Sequence, residues 1–266
     1  MGPETDAGVW EHFYTKAISF SLEEDHKRGF FYLISDKNTW VIHELSPSGK
    51  IGEKTDSGLL DSMPSVIFPY KIYGEHFIFH QIDHQWSIYK LKSGGKLGSK
   101  TDSGRWNSIY RIGFAYSHYV YFFTVDSNYY FIQELLPNGR IGQEIIAENW
   151  KDKHVSSFPF SMNGKFYFYA LSDKNNWYIR ELLTNGKAGS EKSAGTWPEY
   201  HSVSFLFQVK GKQYLYELLA PKKPPRRICY ELRYLPEFRL YVMCNAIEKR
   251  KTDLIHNCYI FAVSYF

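Results

Sequence analysis

A repeat with a nearly constant period constrains this chain more than any other feature of its sequence. Four copies are recognisable, at residues 30–58, 77–104, 121–149 and 166–195. Their reference glycines, Gly49, Gly95, Gly139 and Gly186, follow one another at intervals of 46, 44 and 47 residues. Periods of about 40–50 residues that are filled with short strands are typical of β-propellers, in which each repeat is one four-stranded sheet. The sequence therefore predicts an all-β fold, a β-propeller of four-stranded blades.

Each repeat resolves into four short strand signals separated by turn residues. The first signal is apolar and occurs at residues 17–20, 65–68, 110–114, 157–160 and 204–207. The second is aromatic and occurs at residues 30–32, 77–79, 121–123, 166–168 and 214–216. The third alternates in polarity, as at residues 40–45 and 177–182, and a glycine-containing turn leads from it to the fourth. Short apolar, aromatic or alternating runs between polar turns indicate antiparallel hairpins.

The blade boundaries follow from these signals, with blades expected to start near residues 13, 62, 108, 155 and 202. Residues 1–219 are then the propeller, with five blades favoured over six. Residues 1–12 form the outer strand of the closing blade, because Thr5–Trp10 repeats the pattern of 101–106. Residues 220–266 diverge from the repeat. Either residues 228–235 supply the third strand of the fifth blade, or this segment is a tail outside the propeller.

Charge and composition narrow the classes of partner. The net charge of +4 is spread along the chain with no basic block before Pro221, which argues against nucleic acid. No apolar run is long enough for a membrane span, so no membrane insertion is expected. The start of the chain lacks the pattern of a secretory signal, which predicts a cytoplasmic protein or one released without a recognisable signal peptide. The three cysteines form no metal-binding spacing, and we expect no metal and no cofactor.

All seven tryptophans fall at two positions of the repeat. Trp40, Trp86 and Trp177 open the third strand, whereas Trp10, Trp106, Trp150 and Trp197 end the fourth. Large aromatic side chains at such positions commonly fill the space within and between blades. For the fourth-strand set we keep a second interpretation open, in which an exposed indole stacks on the apolar face of a sugar ring at the mouth of a pocket.

Carboxylates recur with the same period. Glu44, Glu134 and Glu181 occupy one position of the third strand, where the second repeat has Lys90, and Asp56 and Asp102 recur in Thr-Asp-Ser-Gly segments. A carboxylate accepts hydrogen bonds from adjacent sugar hydroxyls, so these residues complete a candidate carbohydrate site. The alternatives are ion pairs on the strand surface for the glutamates and turn capping for the aspartates.

The repeat as a whole resembles that of fungal fucose-binding propeller lectins and, more loosely, tachylectin- and tectonin-type lectins. The resemblance rests on the apolar first strand, the Tyr/Phe second strand, the Ile-x-Glu-Leu third strand and the Gly and Trp of the fourth, over residues 2–219. It implies pockets between blades, each built from a second-strand arginine, a third-strand glutamate and nearby aromatic side chains. Glu44, Glu134 and Glu181 match the glutamate, and Trp106, Trp150 and Trp197 match the aromatics. No second-strand signal contains an arginine.

Because the distinctive residues recur once per repeat, the sequence predicts several equivalent weak sites. Catalysis instead requires a unique cluster of groups with separated pKa values. We therefore expect no enzymatic activity, and a multivalent carbohydrate-binding lectin that binds glycans or glycoconjugates and can form a homo-oligomer. The alternative is a propeller that serves as a protein-interaction scaffold, and a third possibility is a glycoside hydrolase of propeller fold.

Overall fold

The computed structural model describes residues 9–22, 28–46, 48, 50–124 and 127–198, and the backbone of three further strands between residues 201 and 232. Within this part of the chain the regular elements are strands, apart from one 3-10 turn at Ser93–Gly95. The strands are β1 (Tyr14–Leu22), β2 (Arg28–Ser35), β3 (Thr39–Leu45), β4 (Ile51–Leu59), β5 (Val66–Ile72), β6 (Glu75–Ile82), β7 (Gln85–Lys92), β8 (Lys96–Arg105), β9 (Tyr110–Tyr116), β10 (Tyr119–Thr124), β11 (Tyr129–Leu135), β12 (Ile141–Asn149), β13 (His154–Met162), β14 (Lys165–Ser172), β15 (Asn176–Leu182), β16 (Ala188–Thr196), β17 (His201–Val209), β18 (Lys212–Leu219) and β19 (Arg227–Leu232).

The strands pair into antiparallel sheets that follow the chain order, which confirms the prediction of an all-β propeller. Blades 1 to 4 are β1–β4, β5–β8, β9–β12 and β13–β16, and a three-stranded sheet, β17–β19, follows. The described residues thus contain four four-stranded blades, and the prediction of five or six is corrected to this number. Residues 1–12 were expected to form the strand that closes the last blade, and residues 1–8 of this segment lie outside the described residues. Strand β19 pairs with β18 at the place expected for residues 228–235.

The chain divides into two compact units. Blades 1 to 3 belong to the first unit, together with the short segment Thr184–Lys187, and blade 4 and the β17–β19 sheet belong to the second. Core contacts of the first unit also join neighbouring blades. Phe68 and Phe79 of blade 2 pack on Phe122 of blade 3, for example, with ring centroids 6.0 and 5.2 Å apart.

Inside a blade, the third-strand tryptophan covers a glycine of the fourth strand. Trp40 pairs with Gly58, Trp86 with Gly104 and Trp177 with Gly195 across the hairpin. A Cβ atom placed on these glycines would lie 2.7, 2.6 and 2.8 Å from the indole, so only glycine leaves room for the ring. The three indoles are 8–9% exposed. The third-strand tryptophans therefore belong to the core.

Blade 3 solves the same packing problem with different residues. Tyr130 stands where the other blades have tryptophan, and Glu148 stands opposite it where they have glycine. The Tyr130 hydroxyl donates a hydrogen bond of 2.5 Å to the Glu148 carboxylate. The smaller ring leaves room for a side chain on the fourth strand, and the hydroxyl gives that side chain a partner.

Turns between a third and a fourth strand pack on the second strand of the preceding blade in blades 2 and 3 and in the segment Thr184–Lys187, which belongs to the first unit. Gly95, Gly139 and Gly186 lie so close to Phe30, Phe77 and Tyr119, respectively, that a Cβ atom would approach the rings to 2.3–2.7 Å. The carbonyl oxygens of these glycines accept hydrogen bonds from Thr55 (3.2 Å), Tyr70 (2.6 Å) and Tyr121 (2.7 Å), respectively. The recurrent glycine is thus required by the contact between blades as well as by the turn.

The strand pairing corrects the register of the second strand in two repeats. Phe30 and Phe77 lie opposite Glu44 and Lys90, but the equivalent residues are Tyr119 and Tyr167, opposite Glu134 and Glu181. From the sequence alone, residues 121–123 and 166–168 were aligned with residues 30–32. The strand pairing shows that this alignment was displaced by two residues in the third repeat and by one residue in the fourth. Aromatic side chains occupy consecutive positions in these strands, so aromatic character does not fix which position faces the core.

We expect Gly104→Ala to destabilise the protein by about 1–3 kcal/mol, because the added methyl group enters the space of the Trp86 indole. At an unstrained site the same change would be stabilising, through the lower entropy of the unfolded chain, so the sign is informative. Urea unfolding followed by tryptophan fluorescence measures the effect. Ser103→Ala, at the exposed neighbouring position, is the control and should change stability by less than about 0.5 kcal/mol. Equal midpoints for both variants would contradict the packing of Trp86.

His80 is a buried titratable group in the first unit. It is 2% exposed and its ring is tilted against those of Tyr32 and Tyr89, with centroids 5.6 and 5.4 Å away. Burial lowers the pKa of His80 to about 3, so the imidazole is neutral in the folded protein at neutral pH. In blade 1 the equivalent position holds Leu33.

Acidification below pH 6.5 should therefore destabilise the fold, because the unfolded chain takes up a proton near pH 6.5 that folded His80 refuses down to about pH 3. The contribution of His80 approaches about 1.4 kcal/mol per pH unit in this window. His80→Leu should show a correspondingly shallower loss of unfolding free energy between pH 7 and pH 4. His118→Leu, at an exposed histidine, is the control and should keep the wild-type slope. Parallel slopes for wild type and His80→Leu would refute a neutral buried imidazole.

Candidate functional site

The fourth-strand tryptophans are packed within the fold. Trp150 and Trp197 are each 8% exposed, and the Trp197 indole donates a 3.0 Å hydrogen bond to the Tyr169 hydroxyl. Trp10 is half-buried and lies edge-on to Tyr14 and His43. Trp106 is also half-buried, and five aromatic rings surround it at centroid distances of 4.8–5.7 Å: Phe79, Trp86, Tyr110, Phe122 and Phe131. This burial favours the structural interpretation of the four residues.

The third-strand glutamates are half-buried and lie on the sheet surface. Glu44 forms an ion pair with Arg28 at 3.3 Å, and Glu181 forms one with Lys192 at 2.9 Å. The hydrogen bond from Lys192 lowers the pKa of Glu181, so this carboxylate is ionised at neutral pH. Glu134 occupies the same position in blade 3, opposite Tyr119. Two of the three glutamates are thus engaged in the strand-surface ion pairs that were the alternative to sugar binding.

Within a blade, the glutamate and the tryptophan of the predicted site lie at opposite ends of the sheet. The amide of Trp150 donates to the carbonyl of Asn128, and that of Trp197 donates to the carbonyl of Asn175, both at the start of the third strand. Glu134 and Glu181 come six residues later on these strands, which is about 20 Å along the sheet at the usual rise. A blade does not bring its own glutamate and tryptophan together.

The two aspartates join neighbouring blades of the first unit. One carboxylate oxygen of Asp56 accepts the amide of Ser57 and the other accepts the amide of Leu97, at 2.9 and 2.8 Å. Asp102 repeats this arrangement with the amides of Ser103 and Ile141, at 3.0 and 3.1 Å. Both side chains thus hold the start of the next blade's fourth strand by charge-assisted hydrogen bonds.

The structure also shows residue pairs that the sequence reasoning missed. Strand β2 begins at Arg28, so one second strand does contain an arginine, and this arginine pairs with Glu44. Blade 2 carries the same pair with the charges reversed, because Lys90 bonds Glu75 at 2.6 Å. Glu44 and Lys90 occupy the same position of the third strand but carry opposite charges. This difference in the sequence was a signal that the partner across the hairpin also changes sign.

A cavity of about 300 Å³ lies beside the reversed pair. It is lined by Leu22 of blade 1 and by Gly74, Glu75, Lys90 and Lys92 of blade 2, among others. Near it, Tyr73 is 66% exposed, and elsewhere in the first unit Phe13 and Leu59 are 52% and 73% exposed.

In the ranges with described side chains, no group of three or more His, Cys, Asp or Glu residues is placed to hold a metal ion. The same ranges contain no helix long and apolar enough to cross a membrane.

Comparisons with known proteins agree on the fold. No protein-family model and no curated protein matches the chain. Among solved structures, BBS1N in complex with ARL6DN, soaked with lead, has a TM-score of 0.58 at 11% identity, over 90% of this chain and 69% of that one. The mercury-soaked form gives 0.55 at 8% identity over 77% of this chain, which spans 62% of that chain. A protein from Lactobacillus plantarum gives 0.54 at 10% identity, over 81% and 67% of the two chains. These identities support a likeness of fold alone.

Asp102→Ala should lower the free energy of unfolding by about 2 kcal/mol, because the amides of Ser103 and Ile141 lose a charged acceptor. The measurement is equilibrium urea unfolding at pH 7. Asp173→Ala, at an exposed turn position, is the matched control and should be nearly neutral. If Asp102 serves only a ligand, its removal will leave stability unchanged, and that result would restore the aspartate to the list of sugar contacts.

Proposed function

We propose that this chain is a non-catalytic β-propeller that serves as a protein-interaction scaffold. The observation that carries the proposal is a division of roles among its apolar side chains. The repeated aromatics pack inside the blades, whereas Phe13, Leu59 and Tyr73 of the first unit stay exposed at or near blade ends. Loops and turns on a rigid framework are where proteins commonly place their binding residues.

The contacts between blades support this proposal. In the first unit the turns of blades 2 and 3 and the segment Thr184–Lys187 are each held by a hydrogen bond from the preceding blade, and Asp56 and Asp102 add two bonds between blades. A framework fixed in this way loses little conformational freedom when a partner binds, and this lowers the free-energy cost of association.

The fold comparison adds an analogy. BBS1N, which has a similar fold, is described in complex with another protein, ARL6DN. Likeness of fold does not carry function by itself. It nevertheless gives a precedent for a protein of this architecture that binds a protein partner. The dispersed acids support the non-catalytic part of the proposal, since Glu44, Glu134 and Glu181 each lie on a different blade.

A multivalent lectin is the second candidate, and one observation favours it. Arg28 in β2 and Glu44 in β3 are the second-strand arginine and third-strand glutamate that the resemblance to fucose-binding lectins implies. They lie 3.3 Å apart, so one sugar could bridge both groups only by entering or replacing their ion pair. The second, third and fourth blades show no such pair of arginine and glutamate among the residues described.

The two functions are separated by parallel binding experiments on the full chain. Affinity capture from the source cells, followed by reconstitution with each purified candidate, should yield a protein that binds directly. The triple variant Phe13→Ser, Leu59→Ser, Tyr73→Asn should lose at least tenfold in affinity for it, while Lys37→Ser, an exposed control, keeps the wild-type value. A glycan array with free-sugar competition runs alongside. A competed glycan signal that Glu44→Gln abolishes, without any reconstituted protein partner, would overturn the scaffold in favour of the lectin.

A further inference from the structure

We propose that the β5–β6 turn and the cavity beside it form a docking site for an acidic segment of a partner protein. The proposal rests on the scaffold function and names the chemistry of the partner. The site lies in the first unit, at the end of blades 2 and 3 where the first strand turns into the second. It consists of an exposed aromatic pair, Tyr73 and His118, the 300 Å³ cavity, and the cations Lys92, Lys96 and Arg140.

Tyr73 is an unusual choice for its position in the turn. The pairs Lys71–His76 and Ile72–Glu75 leave Tyr73 and Gly74 as a two-residue loop, with φ angles of 48° and 83°. A left-handed conformation costs a bulky residue about 1–2 kcal/mol, whereas asparagine and glycine adopt it readily. Blade 4 has the favoured pair, Asn163 and Gly164, at the same turn. Neither turn geometry nor burial accounts for a tyrosine at residue 73.

The Tyr73 side chain instead contributes to a surface. Its ring lies edge-on to that of His118, with centroids 5.2 Å apart, and His118 belongs to the β9–β10 turn of the neighbouring blade. Both residues are exposed. An aromatic side chain with few rotatable bonds offers a large contact area at a small entropic cost, which is why tyrosine is enriched in binding surfaces.

The cavity begins at Gly74, directly after Tyr73, and its lining carries charges of both signs. Lys90 and Glu75 form their ion pair on its wall, and Lys92 adds an exposed ammonium group. Leu22 of blade 1 contributes an apolar surface. A volume of about 300 Å³ accommodates one or two side chains of a bound segment.

The surrounding surface is basic. Lys92 and Lys96 face each other across the β7–β8 turn, and Arg140 follows the glycine that packs on Phe77 at the start of β6. These three side chains are exposed, and none of them has an ion-pair partner among the described residues. Unpaired cations around a polar cavity attract carboxylates and speed association with an acidic partner.

A peptide suits this lining better than a nucleic acid or an anionic membrane. Glu75 lines the cavity together with Lys90 and Lys92, and its carboxylate would repel closely spaced phosphates. A peptide segment supplies both kinds of complement, because its backbone N–H groups can donate to Glu75 while its carboxylates meet Lys92, Lys96 or Arg140. A leucine or similar side chain of the segment would cover Tyr73.

The test uses the full chain and fluorescence polarisation with fluorescein-labelled ten-residue peptides. One peptide has Glu, Asp and Leu separated by Gly and Ser, and its control has Gln and Asn in place of the acids. The acidic peptide should bind at least tenfold more tightly than the amide control, and the affinity should fall several-fold between 50 and 300 mM salt. Equal binding of the two peptides would overturn the proposal.

The decisive variant is Tyr73→Asn, because it installs the turn sequence of blade 4 while it removes the ring. It should keep or raise the unfolding midpoint and weaken binding of the acidic peptide at least tenfold. The double variant Lys92→Glu, Lys96→Glu should have the same effect on binding, whereas Lys37→Glu, at the other end of blade 1, should have none. Wild-type affinity in Tyr73→Asn and in the double variant would refute the site.

Two further measurements test whether the surface binds another class of ligand, and the captured protein partner distinguishes failure of the docking site from failure of the scaffold function. The same polarisation assay is run with single-stranded dT20, and flotation is run with phosphatidylserine vesicles. Tighter binding to either than to the acidic peptide, lost in Lys92→Glu, Lys96→Glu, would assign the surface to another class of ligand and overturn the proposal. If the captured protein partner binds Tyr73→Asn and the double variant like wild type, the docking site is wrong but the scaffold function stands.

Discussion

The packing of a tryptophan indole on a glycine of the adjacent strand is the contact on which the blades depend. A tryptophan on the third strand of blades 1, 2 and 4 occupies the space that a side chain on the fourth strand would need. The outer hairpin is therefore fixed in register by a shape requirement, in addition to its hydrogen bonds. Blade 3 shows how strict the requirement is, because the change to Tyr130 is accompanied by Glu148 and a hydrogen bond between them. The four described blades thus combine either a tryptophan with a glycine or the smaller tyrosine ring with a glutamate.

The period, the four strands per repeat and the propeller class could be predicted because they depend on patterns local to each repeat. The second-strand register could not, since a strand such as β10 carries aromatic residues at alternate and at adjacent positions alike. The candidate carbohydrate site is a different case, because one blade does not bring its own glutamate and tryptophan together. Glu181 and Trp197 are close in sequence, yet an antiparallel hairpin puts the end of the fourth strand beside the start of the third, and this could have been worked out beforehand.

Residues that recur from repeat to repeat have structural roles in this chain, whereas residues that depart from the repeat indicate where function should be sought. Among the described residues, the recurring tryptophans, the glycines opposite them and Asp56 and Asp102 are engaged in packing or in bonds between blades. Two departures from the pattern lie together in blade 2. There the charge pair Glu75–Lys90 is reversed relative to Arg28–Glu44, and a tyrosine replaces the asparagine favoured in the turn. A repeat protein can change one blade in this way because the remaining blades preserve the fold.

The fastening of one blade to the next has a direction. In blades 2 and 3 and in the segment Thr184–Lys187, all within the first unit, a glycine carbonyl is the acceptor, and the preceding blade supplies the donor, which is Thr55, Tyr70 or Tyr121. The acceptor is constant and the donors differ, so a blade needs no particular predecessor, only one that places a hydroxyl group near its turn. Such an interface is compatible with many neighbours. A gene encoding this chain could gain or lose a whole repeat by unequal recombination and still encode blades that join, which offers a simple route by which propellers of different sizes arise from one ancestral unit.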